Sequence, residues 1–166
     1  MPSPLTPVES TGELVGATPL VRHTLRRVKA TLRAARPEDA PRISVLLDQL
    51  GWVVPPDKVV VELSASPTTE VVVAELDRDV VGLIAVTTRR QFQRAGNLVT
   101  IDTLVVDERH RSRGIGEQLV GVAVEAAARS SAQVVEAVSH LRRVEARRFY
   151  ERLGFEITAN YFVRTC

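Results

Sequence analysis

Residues 108–120 read ERHRSRGIGEQLV, a stretch that sets Arg109, His110, Arg111 and Arg113 directly before Gly114 and Gly116. Upstream, NLVTIDTLVV at 97–106 is β-branched and aliphatic almost without interruption, which predicts a strand buried on both faces. Downstream, Ile115, Leu119, Val122, Ala123 and Ala126 recur at helical spacing, so one side of a long helix is committed to a core. A strand, a short loop and a helix that begins on glycines make an anion-binding arrangement. The first amides of a helix have no intrahelical partner, and the macrodipole places roughly half a positive charge there. Glycine lets ligand oxygens approach those amides because no Cβ intervenes. Any one arginine before a helix is ordinarily a solvated loop residue. Several at the positive end of a dipole, each unfavourable there by roughly 0.3 to 1 kcal/mol, call for a counter-ion.

The pattern restricts which anion. A P-loop needs a lysine and a hydroxyl residue after its last glycine, and neither follows Gly116. A dinucleotide fingerprint needs a third small residue where Leu119 stands, on a strand that opens a βαβ unit; here the strand is the fourth in the chain.

Outward from this centre the elements follow in order. TLRAA at 31–35 alternates as a strand. RPEDAPRISVLLDQLG carries Ile43, Leu46, Leu47 and Leu50 on one helical face, and PPDKVVVEL is a second, weaker helix. EVVVAELDRDVVGLIAVTT reads as two strands turning at Asp77, Arg78 and Asp79. After the long helix, AQVVEAVS is a fifth strand, RRVEARRFYERLG a helix closed by Gly154, and FEIT and YFVRT two short strands around Ala159 and Asn160. The order β-α-α-β-β-β-α-β-α-β-β describes a mixed-sheet α/β domain over 29–166. Residues 1–28, with Pro2, Pro4, Pro7 and Pro19, read as a flexible tail, although Leu20, Val21, Thr24, Leu25 and Val28 also match a short helical stripe.

Composition excludes several function classes. Lysine plus arginine exceeds aspartate plus glutamate only by 22 to 20, and few aromatics are available for base stacking, so nucleic acid is not the expected partner. The lone cysteine, Cys166, cannot form an internal disulfide, and His23, His110 and His140 show no ligand spacing, so no metal is assigned. The longest apolar stretch, Val80 to Val86, is far short of the roughly 20 residues that span a bilayer. The first 21 residues lack lysine and arginine, unlike the basic start of a signal peptide, and a cytoplasmic setting is expected.

Arg111-Ser112-Arg113-Gly114-Ile115-Gly116 resembles the Arg/Gln-x-x-Gly-x-Gly/Ala pyrophosphate loop of the GNAT superfamily of N-acetyltransferases. ARRFYERLGFE at 146–156 resembles the later helix motif of the same family, and LRAARPEDAPRISVLLDQLGW its first strand and helix. Together they cover about 30–166 in the family's element order.

The resemblance implies a GNAT-like fold whose fourth and fifth strands splay, with acetyl-CoA as co-substrate and no metal. The coenzyme would meet main-chain groups of Leu104, Val105 and Val106 and the amides from Arg111 to Gly116. It also implies transfer of the acetyl group to a primary amine by direct attack in a ternary complex; a non-catalytic acyl-CoA-binding or sensing module on the same fold is the alternative. Tyr150 stands at the family's usual general-acid position, while Ala146, Phe149, Tyr150 and Leu153 equally form an i, i+3/i+4, i+7 core stripe. Where many members carry asparagine, this chain has Arg143, which offers a guanidinium for a phosphate instead. Asp102, Glu136 and His140 are the candidates for the base or for acceptor contacts, and their carboxylates suit a cationic acceptor. That acceptor is a small-molecule amine or a protein amino group, and a homodimer is a common form in the family.

Overall fold

The computed structural model describes residues 26–140, 142–158 and 162–164. Four strands form an antiparallel meander: β1 (Thr31–Ala34), β2 (Thr69–Leu76), β3 (Asp79–Gln91) and β4 (Gly96–Val106). β5 (Val135–Ala137) joins β4 in parallel and completes a five-stranded sheet in chain order. The β2–β3 turn places Asp77 and Arg78 at φ 52° and 70°, the paired left-handed geometry that a tight hairpin requires.

Helices cover both faces. α1 (Ala40–Asp48) and α2 (Pro56–Ala65) bury Ala40, Ile43, Leu46 and Val59 against Val73, Val80, Leu83 and Val105. On the other face α3 (Ile115–Ser130) buries Ile115, Leu119, Val122, Ala123 and Ala126, all of them forecast by the helical spacing, against Val72, Ile84, Val86, Val99 and Ile101. Ile115 and Leu119 are almost wholly enclosed, and each such side chain contributes about 1.5 to 3 kcal/mol. β4 is sandwiched between these layers, so Leu98, Val99, Thr100 and Ile101 are buried in succession. α4 (Val144–Arg152) leans on the α3-side core through Phe149, Tyr150 and Leu153. Among the described residues no helix is long and apolar enough to cross a membrane.

Two registers matter for the site. β4 bulges against β3: Ala85 pairs with Thr103 and Val86 with Ile101, so Asp102 is the extra residue. β4 and β5 pair only at Val99/Val135, Thr100/Glu136 and Ile101/Ala137, whereas β4 continues to Val106. Beyond Ile101 the two strands part.

The C-terminal strand pair expected from FEIT and YFVRT is corrected: residues 155–158 and 162–164 carry no strand pairing, and the intervening 159–161 lie outside the described residues. Strand propensity acts only when side chains pack across a sheet. Here Ile157, Phe162 and Val163 are exposed. The expected tail lies outside the described residues through residue 25, as does nearly all of the alternative helical stripe at 20–28; Arg27 and Val28, at its end, contact α3.

Candidate functional site

The loop between β4 and α3 is built around Asp107, a fully buried carboxylate directly after β4. Arg42 of α1 donates through Nη2 to Oδ2, and Arg109 reaches Oδ1 and Oδ2 through Nε and Nη2, each at 3.1 Å. The Arg109 main-chain N–H adds a bond to Oδ1 at 2.9 Å, capping a 3-10 turn at Glu108–His110. The Arg109 guanidinium, seconded by Arg42, outweighs burial and holds the Asp107 carboxyl well below the usual range. The sequence reading passed over Asp107. The available signal was an aspartate at a strand end, where its side chain caps the following turn.

From this anchor the chain crosses Ser112 at φ 60° and Gly114 at φ 84° and enters α3. Gly114 at the N-cap has no side chain to offer a cap, and among the described residues the first amides of α3 have no side-chain acceptor. Arg111 folds back, its Nε donating to Val106 O at 3.2 Å, and Arg113 Nη1 lies 3.2 Å from His110 Nδ1. Ile115 points into the core, and Gly116 faces the ring of Phe149.

The open side of β4 adjoins this loop. The Asp107 N–H donates to Val81 O at 2.9 Å, so by antiparallel alternation Val105 also turns its main-chain groups toward β3. Those of Leu104 and Val106 face the gap left by β5. Of the three residues expected to supply main-chain contacts, two are therefore presented to the gap and Val105 is not.

Asp102 and Glu136 share a sheet face, opposite the one on which Val99 and Ile101 meet α3. Thr87 Oγ1 donates to Asp102 Oδ2 at 2.6 Å and lies 2.8 Å from Thr69 Oγ1. Glu136 Oε1 accepts from Thr100 Oγ1 at 2.9 Å and from Arg89 Nη2 at 3.1 Å. Thr87 and Thr100 are cross-strand partners, so the hydroxyls that bond the two carboxylates stand on neighbouring strands of one face. Arg89, Thr87 and Thr100 were not anticipated, because their roles follow from strand register.

His140 stands apart from these groups. Its Nδ1 accepts the Arg142 N–H at 3.2 Å, and its carbonyl the Arg143 N–H at 2.9 Å, so it shapes the turn into α4. The Arg143 guanidinium donates to Leu50 O, fastening α4 to the end of α1; it is not directed to the loop at 111–116.

Tyr150 is half-buried between Phe149 and Phe155, with both ring pairs edge-to-face at 5.2 Å between centroids. Its hydroxyl has no hydrogen-bond partner among the described residues, and burial pushes the phenol up to about 12. Among the described residues no group of three or more His, Cys, Asp or Glu is placed to hold a metal ion.

Residues 67–157, more than half of the chain, match the family model described as an acetyltransferase (GNAT) domain. The fold is similar to that of a transcriptional regulator from Bacillus halodurans C-125, with 24% identity and a TM-score of 0.74 over 83% of this chain and 100% of that one. It is similar to ribosomal-protein-alanine N-acetyltransferase from Brucella melitensis biovar Abortus 2308, with 19% identity and a TM-score of 0.71 over 83% and 100% of the two chains. Glucosamine-6-phosphate N-acetyltransferase from Arabidopsis thaliana is alike at 20% identity, with a TM-score of 0.69 over 83% and 99%. No curated protein sequence matches the chain.

Proposed function

The chain belongs to the GNAT acetyltransferase family, and from that premise we propose that it transfers an acetyl group from acetyl-CoA to a primary amine by direct attack in a ternary complex. The observation that carries this reading is the parting of β4 from β5 after Ile101/Ala137, beside a glycine-opened helix. It leaves main-chain groups of Leu104 and Val106 available to an extended amide-bearing arm, with the amides at Gly114 to Gly116 available to a diphosphate. Arg111 would release Val106 O as the arm arrives, and Arg111 and Arg113 would add charge-assisted contacts to the diphosphate.

In the proposed reaction the amine nitrogen, once deprotonated, bonds to the thioester carbonyl carbon. The carbon–sulfur bond then breaks and the thiolate leaves with the electron pair. Asp102 or Glu136 takes the proton the ammonium sheds before attack, directly or through water; Tyr150 supplies a proton to the sulfur and recovers one, through water, from the nitrogen made cationic by bonding. The carboxylate face suits an acceptor that arrives as a cation. The reaction is tested by mixing the protein with acetyl-CoA and a library of amines and following free thiol. Thiol release that depends on an amine supports the reading, and silence across amines despite coenzyme binding refutes it.

One observation favours a second reading, a non-catalytic acyl-CoA-binding module. Burial pushes the Tyr150 phenol up to about 12, above the ordinary thiol value of about 8.5, so full proton transfer from it to a leaving thiolate would be uphill. Tyr150→Phe separates the two: a fall in turnover with unchanged coenzyme affinity belongs to the enzyme.

A further inference from the structure

A segment outside the sequence motifs lies against the start of α3. The Val28 N–H donates to Arg113 O at 3.0 Å. Gln118 on the first turns of α3 grips the same segment: its Nε2 donates to Val28 O at 2.8 Å and to Gly114 O at 3.2 Å, and its Oε1 accepts the Ala30 N–H at 3.1 Å. This brings Arg27 over the helix end. The Arg27 Cγ lies 3.5 Å from where a Cβ on Gly114 would stand, and Arg27 Nη2 donates to Glu117 Oε2 at 2.7 Å.

The fold does not require that ion pair. Arg27 and Glu117 are both exposed, and such a pair contributes about 1 kcal/mol at most. A cation at the positive end of a helix is unfavourable by itself, and Glu117 supplies the compensating charge in the free protein. A diphosphate seated on the same amides offers more charge and more acceptor oxygens than one carboxylate, and a guanidinium fork matches those oxygens.

We propose that Arg27 is a phosphate-binding residue of the coenzyme site, delivered by a strap, residues 27–30, that the positioning residue Gln118 fastens across the first turn of α3. The inference rests on the coenzyme-dependent reading above. On coenzyme binding Arg27 exchanges Glu117 for the diphosphate.

Isothermal titration of the full chain with coenzyme A, at low and at high ionic strength, tests it. Arg27→Ala is expected to weaken binding about tenfold at low salt, the worth of one charge-assisted hydrogen bond. The deficit should shrink at high salt, and Arg27→Lys should recover part of it. Gln118→Leu should show the same salt-dependent deficit, and adding Arg27→Ala to it should cost little more, because one acts through the other. Arg27→Ala with wild-type affinity at low salt overturns the proposal, as does a deficit indifferent to salt and to lysine. A wild-type protein that takes up no coenzyme A instead refutes the reading beneath it, so the two failures are told apart.

Discussion

A Cβ on Gly116 would lie 3.2 Å from both Cε2 and Cζ of Phe149, with Val106 Cγ2 at 3.8 Å. This close approach joins three elements, since Val106 ends β4, Gly116 begins α3 and Phe149 lies in α4. It also seats the aromatic neighbour of Tyr150 against the first turn of α3.

Gly116→Ala is therefore expected to overpack this junction and to destabilise the protein by about 1 to 3 kcal/mol. Adding Phe149→Leu should recover part of that loss, because the smaller side chain can withdraw from the new methyl. Denaturant unfolding of the two single variants and the double variant measures the coupling. Strictly additive losses would refute the contact.

Tyr150→Phe is expected to lower kcat by about two to four orders of magnitude and to leave coenzyme affinity nearly unchanged. With the phenol pushed up to about 12, Tyr150 stays protonated across the neutral range. No fall in kcat between pH 7 and 10 should then be traceable to its ionisation. The comparison is between pH–rate profiles of the wild type and the variant, and a wild-type kcat in Tyr150→Phe refutes the proton-donor role.

Asp102→Asn and Glu136→Gln should each raise KM for a cationic acceptor, with KM for acetyl-CoA unmoved. Only the acceptor loses a counter-charge. Asp102 is held by Thr87 and Glu136 by Thr100 and Arg89, so the amides keep much of the local hydrogen bonding and the change is chiefly one of charge. Steady-state kinetics with each substrate varied separately decides it; an unchanged acceptor KM in both variants removes these carboxylates from the acceptor site.

Asp107→Asn should cost about 1 to 3 kcal/mol of stability at neutral pH, because it takes the charge from a buried acceptor that partly exposed Arg42 and exposed Arg109 both reach. Asp107 is held below its ordinary pKa chiefly by Arg109, and Asp39 chiefly by Arg33, whose fork bonds it at 2.7 and 2.9 Å. A depressed folded pKa adds stability that is complete above the unfolded value of about 3.9 and is lost as pH falls through the folded value. Wild-type stability should thus decline below about pH 4, and Asp107→Asn should flatten that decline by removing one of its sources. Denaturant midpoints measured from pH 6 downward check both statements.

Local repetition made much of the fold legible in the sequence. Ile43, Leu46 and Leu47 on α1, and Ile115 through Ala126 on α3, declare their buried faces through spacings of three and four, which depend only on helix geometry. Asp77, Arg78 and Asp79 mark their turn because a polar run interrupts two apolar strands, and Asp77 and Arg78 take positive φ there. The strand–loop–glycine order at 97–116 was sufficient to locate the end of β4 and the start of α3, since helix-start amides without intrahelical partners belong to the helix itself. FEIT and YFVRT had the propensity of strands, but Ile157, Phe162 and Val163 stay exposed, and among the described residues that propensity did not produce a pair.

Tertiary structure alone decided what each side chain meets. Arg143 reaches Leu50 across 93 positions, Arg27 reaches Glu117 across 90 and Arg42 reaches Asp107 across 65. No periodicity in a local window encodes such encounters. Likewise, the bulge at Asp102 and the early end of β4–β5 pairing select which main-chain groups remain open. Register is set by how the whole sheet packs between α1, α2 and α3, where a slip of one residue would turn every side chain of a strand to the opposite face.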